Sequence, residues 1–172
     1  MGELIIDFNV LGENAMNIFG KSQNRMEPVN LQLTNEITIE LDRASVCMGD
    51  DCNSHKLKRK FDETMSIVDF LLELSDYVPS MHNVVWVVIS LNSINKVIGY
   101  IVTDEEGKVT IELAVSNVCL KDIFSNEADI SVFCRYYHQS SFSWINGETN
   151  QRIEKYSKCK TLLEKVKMDC GR

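Results

Sequence analysis

The sequence predicts an α+β fold, a single domain with a mostly antiparallel sheet, one well-formed central helix and a C-terminal helix. Three observations carry this. Glu36–Asp42 alternates, with Ile37, Ile39 and Leu41 on one side and Glu36, Thr38, Glu40 and Asp42 on the other, as in a half-buried strand. Val84–Leu91 (VVWVVISL) is apolar everywhere except Ser90, as expected of a strand covered on both faces. Ser66 and Asp69 form a capping pattern just ahead of Ile67, Phe70, Leu71 and Leu74, which fall at i, i+3, i+4 and i+7 on one helix face.

Glu3–Val10 is short, apolar and closed by Leu11-Gly12, which predicts a strand. Residues 12–34 read as connection with one short helix near Glu13–Phe19. After Glu36–Asp42, a long exposed loop leads to a strand at Leu57–Phe61 and then to the capped helix. That helix ends at Tyr77-Val78-Pro79, because the residue before proline is pushed out of the α region. Asn92–Asn95 turns the chain into a strand at Lys96–Thr103. Asp104-Glu105-Glu106-Gly107 then makes a hairpin to Lys108–Val115, with Val109, Ile111, Leu113 and Val115 inward. Asn117–Phe124 reads as a short helix, Asp129–His138 as a strand and residues 139–147 as a polar loop. Glu148–Asp169 reads as one helix with an apolar stripe of Ile153, Tyr156, Leu163 and Val166, and cations toward its negative end.

No apolar run reaches the roughly 18 residues of a membrane helix. The amino end carries Glu3 and Asp7 rather than a basic region, and Ile6 stands where a myristoylation pattern needs Ser or Thr. A cytoplasmic protein is expected. With six cysteines in 172 residues, it is too sparse for a disulfide-stapled scaffold. Cys119, Cys134 and Cys159 sit in apolar-patterned segments and read as small buried hydrophobes, while Cys170 falls at a frayed end.

Net charge is −7, unevenly spread. Residues 1–55 hold three Lys/Arg against nine Asp/Glu, and residues 61–147 four against twelve. Basic charge concentrates in Lys56–Lys60 and in the last 25 residues. An acidic body repels nucleic acid and attracts basic partners. Lys58 and Lys60 read as solvated edge charges that discourage strand pairing.

The densest group of reactive side chains is RASVCMGDDCNSHKLKRK, residues 43–60. Cys47, Cys52 and His55 have a C-x4-C-x2-H spacing that could grip zinc if a fourth ligand arrived from elsewhere. Cys47 and Cys52 could also close a small disulfide loop. A nucleophilic Cys47 would need cations to lower its pKa, and Asp50 and Asp51 oppose that. The segment fits better as a turn: Met48-Gly49-Asp50-Asp51 lies on an exposed connection, where binding is usually placed. No phosphate-binding loop, nucleophile elbow or zinc-protease signature occurs, so no enzyme and no cofactor are expected. In FCRYYHQSSFSW, residues 133–144, Phe133, Tyr136 and Tyr137 are expected to pack the sheet. Arg135, His138, Phe142 and Trp144 are its exposed members, of the types enriched at interfaces.

The pattern L-D-R-x-S-V-C-x-G-D-D, followed by a helix, a Y-x-P-S turn and a tryptophan-containing strand, resembles small uncharacterised bacterial proteins over residues 37–88. In size, acidity and lack of assembled chemistry the chain is also similar to immunity proteins of contact-dependent or polymorphic toxin systems. That likeness implies binding and blocking a cognate, basic toxin domain. The partner-binding surface is expected to combine Asp50, Asp51, Asp104, Glu105 and Glu106, with Glu40 and Glu112 as possible additions, and the aromatic-basic set Arg135, His138, Phe142 and Trp144. The alternative is a metal- or redox-responsive module using Cys47, Cys52 and His55.

Overall fold

The computed structural model describes residues 35–46, 51, 53–92, 95–125, 129–142 and 159–170, all within one compact unit that begins at Asn35. The expected strand at Glu3–Val10 and helix at Glu13–Phe19 lie outside the described residues. The unit is α+β. Its strands are β1 (Glu36–Arg43), β2 (Leu57–Asp62), β3 (Val84–Ser90), β4 (Lys96–Thr103), β5 (Val109–Leu113) and β6 (Ile130–His138). Its helices are α1 (Ile67–Ser75), α2 (Leu120–Phe124) and α3 (Leu162–Asp169), with a 3-10 turn at Gln139–Phe142. No described helix is long and apolar enough to cross a membrane.

The strands form one sheet in the order β2-β1-β6-β3-β4-β5. Every pairing is antiparallel except β1 with β6, which sets Ile39 beside Ile130 and Arg43 beside Cys134. β3 is central, and all seven of its residues are buried. Its alternation sends Val84, Trp86 and Val88 to one face, where they join Ile39, Leu41, Val132, Ile98 and Ile101 under α1 and α2. Val85, Val87 and Ile89 go to the other face and pack with Tyr100 and Val166 under α3.

α1 starts as expected: Ser66 Oγ accepts the Asp69 N–H at 3.1 Å and donates to the Asp69 carboxylate at 2.6 Å. Ile67, Phe70, Leu71 and Leu74 are fully buried, and Phe70 meets Phe61 edge-on with ring centroids 5.0 Å apart.

Four expectations are corrected. The last helix does not run continuously from Glu148, because Thr161 is extended and caps a new start, with Glu164 reaching back to the Thr161 N–H at 3.0 Å. Ile153 and Tyr156 lie outside the described residues. Val109 is 38% exposed, since it opens an edge strand beyond the reach of α1. Cys119 and Cys159 are only partly buried, whereas Cys134 is fully enclosed and its thiol is pushed up to about 12 by burial. Cys170 packs against the second core cluster rather than fraying.

Gly99 marks where α1 lies closest to the sheet. A Cβ there would run into Leu71 Cδ1 and stand 2.9 Å from the Glu112 carbonyl oxygen. Gly99→Ala is expected to cost roughly 1–3 kcal/mol through overpacking. A urea midpoint equal to wild type would contradict this packing.

Candidate functional site

The sheet order and strand directions bring Asp51, Asp104, Glu105, Glu106 and His138 to one rim, while Arg135 lies within β6 opposite Val87. β1 and β6 run parallel and end there, at Arg43 and His138. Val84, which starts β3, faces His138 and Thr103, and Thr103 ends β4 opposite Val109. Leu57, which starts β2, faces Leu41. The 43–56 loop, the turn after His138, the 104–107 hairpin and the approach to β3 therefore share one end of the sheet. At strand spacing, this rim spans roughly 24 Å.

The 43–56 loop is organised around Asp51. The Arg43 guanidinium takes its carboxylate with both nitrogens, at 2.8 and 3.2 Å, and the Val46 N–H donates to it at 3.0 Å. His55 Nε2 lies 2.8 Å from the same carboxylate. Ser45 Oγ donates to the Asp51 carbonyl at 2.8 Å, and Tyr77 at the end of α1 donates its hydroxyl to the His55 carbonyl at 2.6 Å. The side chains of Arg43, Asp51 and His55 are only 13–15% exposed. Hydrogen bonding from Arg43, then from the Val46 amide, lowers the Asp51 carboxyl to about 2. Burial is the main reason that the Tyr77 phenol is pushed up to about 12, so it stays a donor. The two residues flanking the Cys47–Asp50 stretch are thus tied to each other and to β1.

This places Asp51 differently from the expectation. Its carboxylate accepts from Arg43 and the Val46 N–H and holds the loop. Asp50, Cys47, Cys52 and Trp144 lie outside the described residues. His55, the third member of the alternative metal set, has its Nε2 on Asp51. Among the described residues, no group of three or more His, Cys, Asp or Glu is arranged to hold a metal ion.

Ser45, His55 and Asp51 superficially suggest a nucleophilic relay. Such a relay needs the acid on one ring nitrogen and the hydroxyl on the other. Here Ser45 Oγ, at 3.5 Å, and Asp51 both approach Nε2. As arranged, the trio is a clip.

At the other end of the rim, Asp104 is also spent internally. Its carboxylate accepts the Glu106 N–H at 3.0 Å and the Lys108 N–H at 2.8 Å, while Gly107 takes φ +84° to close the turn. His82 Nδ1 lies 2.8 Å from the Glu105 carbonyl oxygen. The Glu105 and Glu106 side chains are exposed. His138 is half-buried: its Nδ1 accepts the Ser140 N–H at 3.2 Å, and its own N–H donates to Ser141 Oγ at 3.0 Å. Phe142 closes the 3-10 turn, and Arg135 is exposed as expected. Glu40 and Glu112 are partly buried and paired with Lys56 and Lys167.

Sequence reasoning missed Arg43, Ser45, Val46 and Tyr77. Only the closing of the loop brings Arg43 to Asp51, and no local pattern announces it.

Asp51 has a depressed folded-state pKa, so its stabilising effect is present above the unfolded value near 4 and fades as pH falls toward 2. Asp51→Asn is expected to speed hydrogen exchange of the Val46 amide at neutral pH. The difference from wild type should shrink between about pH 4 and about pH 2. A difference that stays constant across that range would contradict the clip. No protein-family model, curated protein or solved structure matches this chain.

Proposed function

We propose that this chain is a non-enzymatic protein-binding protein, and within that class a cytoplasmic bacterial immunity protein that occupies a basic toxin domain. The observation that carries this reading is the convergence of four separate segments on one rim. Their described residues are held by internal bonds, with Glu105 and Glu106 left facing solvent. Rigid loops on a scaffold lower the ordering cost of association. The net charge of −7 favours encounter with a basic surface.

The basic run does not offset this. Lys60 pairs with Glu36 at 2.7 Å and Lys56 with Glu40 at 3.5 Å, on the face that β1 and β2 share. Local cancellation of this kind leaves little net attraction for a phosphate backbone.

Affinity capture with the full chain from source cells, followed by kinetics on the recovered protein, tests the proposal. The expected result is a stoichiometric partner that arrests growth when expressed alone, and whose toxicity is relieved by co-expression of this chain. Its association rate should fall about tenfold from low to physiological salt, and further in Glu105→Lys/Glu106→Lys. No stoichiometric partner, or a harmless one, would overturn the immunity reading.

A further inference from the structure

Among the described residues, β2 and β5 form the two edges of the sheet, and they are protected very differently. β2 carries Lys58 and Lys60, both exposed, and charged side chains on an edge discourage another strand from pairing. β5 (VTIEL) has a single charge, Glu112, which pairs with Lys167 of α3. No proline or lysine interrupts the strand, and Val109 at its start is 38% exposed.

The backbone of β5 has a definite orientation. Asp104 N–H donates to the Lys108 carbonyl and Ala114 N–H to the Ile98 carbonyl, both at 3.1 Å. Antiparallel bonding alternates residue by residue. Lys108, Thr110, Glu112 and Ala114 therefore turn their backbone groups to β4, and Val109, Ile111 and Leu113 turn theirs outward. Among the described residues, no strand lies beyond β5.

We infer that the β5 edge accepts an extended segment of the partner protein as an added strand. The inference rests on the protein-binding reading above. The surroundings specify the chemistry of that segment. Side chains landing beside Ile111 and Leu113, which pack on the core under α1, are apolar. Alternate positions lie beside Thr110 and the Glu112–Lys167 pair and are polar. The end nearest the hairpin meets exposed Glu105 and Glu106 and carries Lys or Arg. Main-chain bonds supply affinity in such strand addition, and alternate side chains supply specificity.

Synthetic peptides of alternating valine and threonine with two arginines at one end, in both polarities, probe this on the full chain by amide hydrogen exchange. In the free protein the amides of Val109, Ile111 and Leu113 should exchange fast, and those of Thr110 and Glu112 slowly. Saturating peptide of one polarity should slow the first three by about tenfold or more. Val109→Pro removes an outward N–H without removing a bond to β4, and Val109→Lys adds an edge guard. Each should weaken peptide binding by about tenfold with an unchanged thermal midpoint. Unprotected outward amides at saturation, or binding by both variants equal to wild type, would overturn the inference. So would slow exchange of these amides in a free protein that is dimeric, which would make a second copy the occupant. The peptide readout needs no native partner. Its failure, alongside a captured partner that still responds to Glu105→Lys/Glu106→Lys, would confine docking to the rim and leave the immunity reading standing.

Discussion

Val84–Ser90 has no polar face, and that is the constraint around which the rest is arranged. Val84, Trp86 and Val88 on one side and Val85 and Val87 on the other are fully buried, so the strand requires apolar cover above and below and a neighbour at each edge. β4 and β6 supply the neighbours, α1 and α2 one cover and α3 the other. Trp86 lies against Tyr136 of β6 with ring centroids 5.2 Å apart. Tyr137, next along β6, donates its hydroxyl to Asp169 of α3 at 3.2 Å. The centre of the sheet is thereby tied to both layers, and the loops that leave it start from fixed points.

Carboxylates divide the labour at the rim. Asp51 and Asp104 look like docking groups in the sequence, yet both turn back to accept nearby N–H groups. A short acidic side chain reaches its own backbone readily, which is why Asp is common in turns. Glu105 and Glu106, one methylene longer and at the hairpin tip, stay in water. Few charged side chains at the rim are then left in water, held by neighbours whose own polar groups are already bonded.

What was legible in the sequence was local. The alternation of β1, the Ser66–Asp69 start of α1 and the unbroken apolar run of β3 each depend on residues a few positions apart, and each is found where expected. β6 was recognised as a strand but not as a central one, because Ser131 and Arg135 interrupt its pattern and its parallel partner β1 lies some ninety residues earlier. The start of α3 was overlooked because lysines and apolar residues continue a helical rhythm before it. Thr161 and Glu164 repeat the same capping logic as Ser66 and Asp69, and so offered the missing signal. The Arg43–Asp51–His55 cluster was half visible: the acid and the histidine stood out, but the cation that holds them did not.

The sheet order also bears on how the chain is made. Until Ile130–His138 leaves the ribosome, the described strands form two separate pieces, the β1–β2 hairpin and the β3–β4–β5 meander, and no other described strand joins them. The start of α1 waits as well, since Ile67 N–H donates to the Val118 carbonyl and Leu120 N–H to the Met65 carbonyl. Most of the protein must therefore be translated before its central seam can close. Over that interval the apolar strand Val84–Ser90 has one open flank, a delay that chaperones would have to cover.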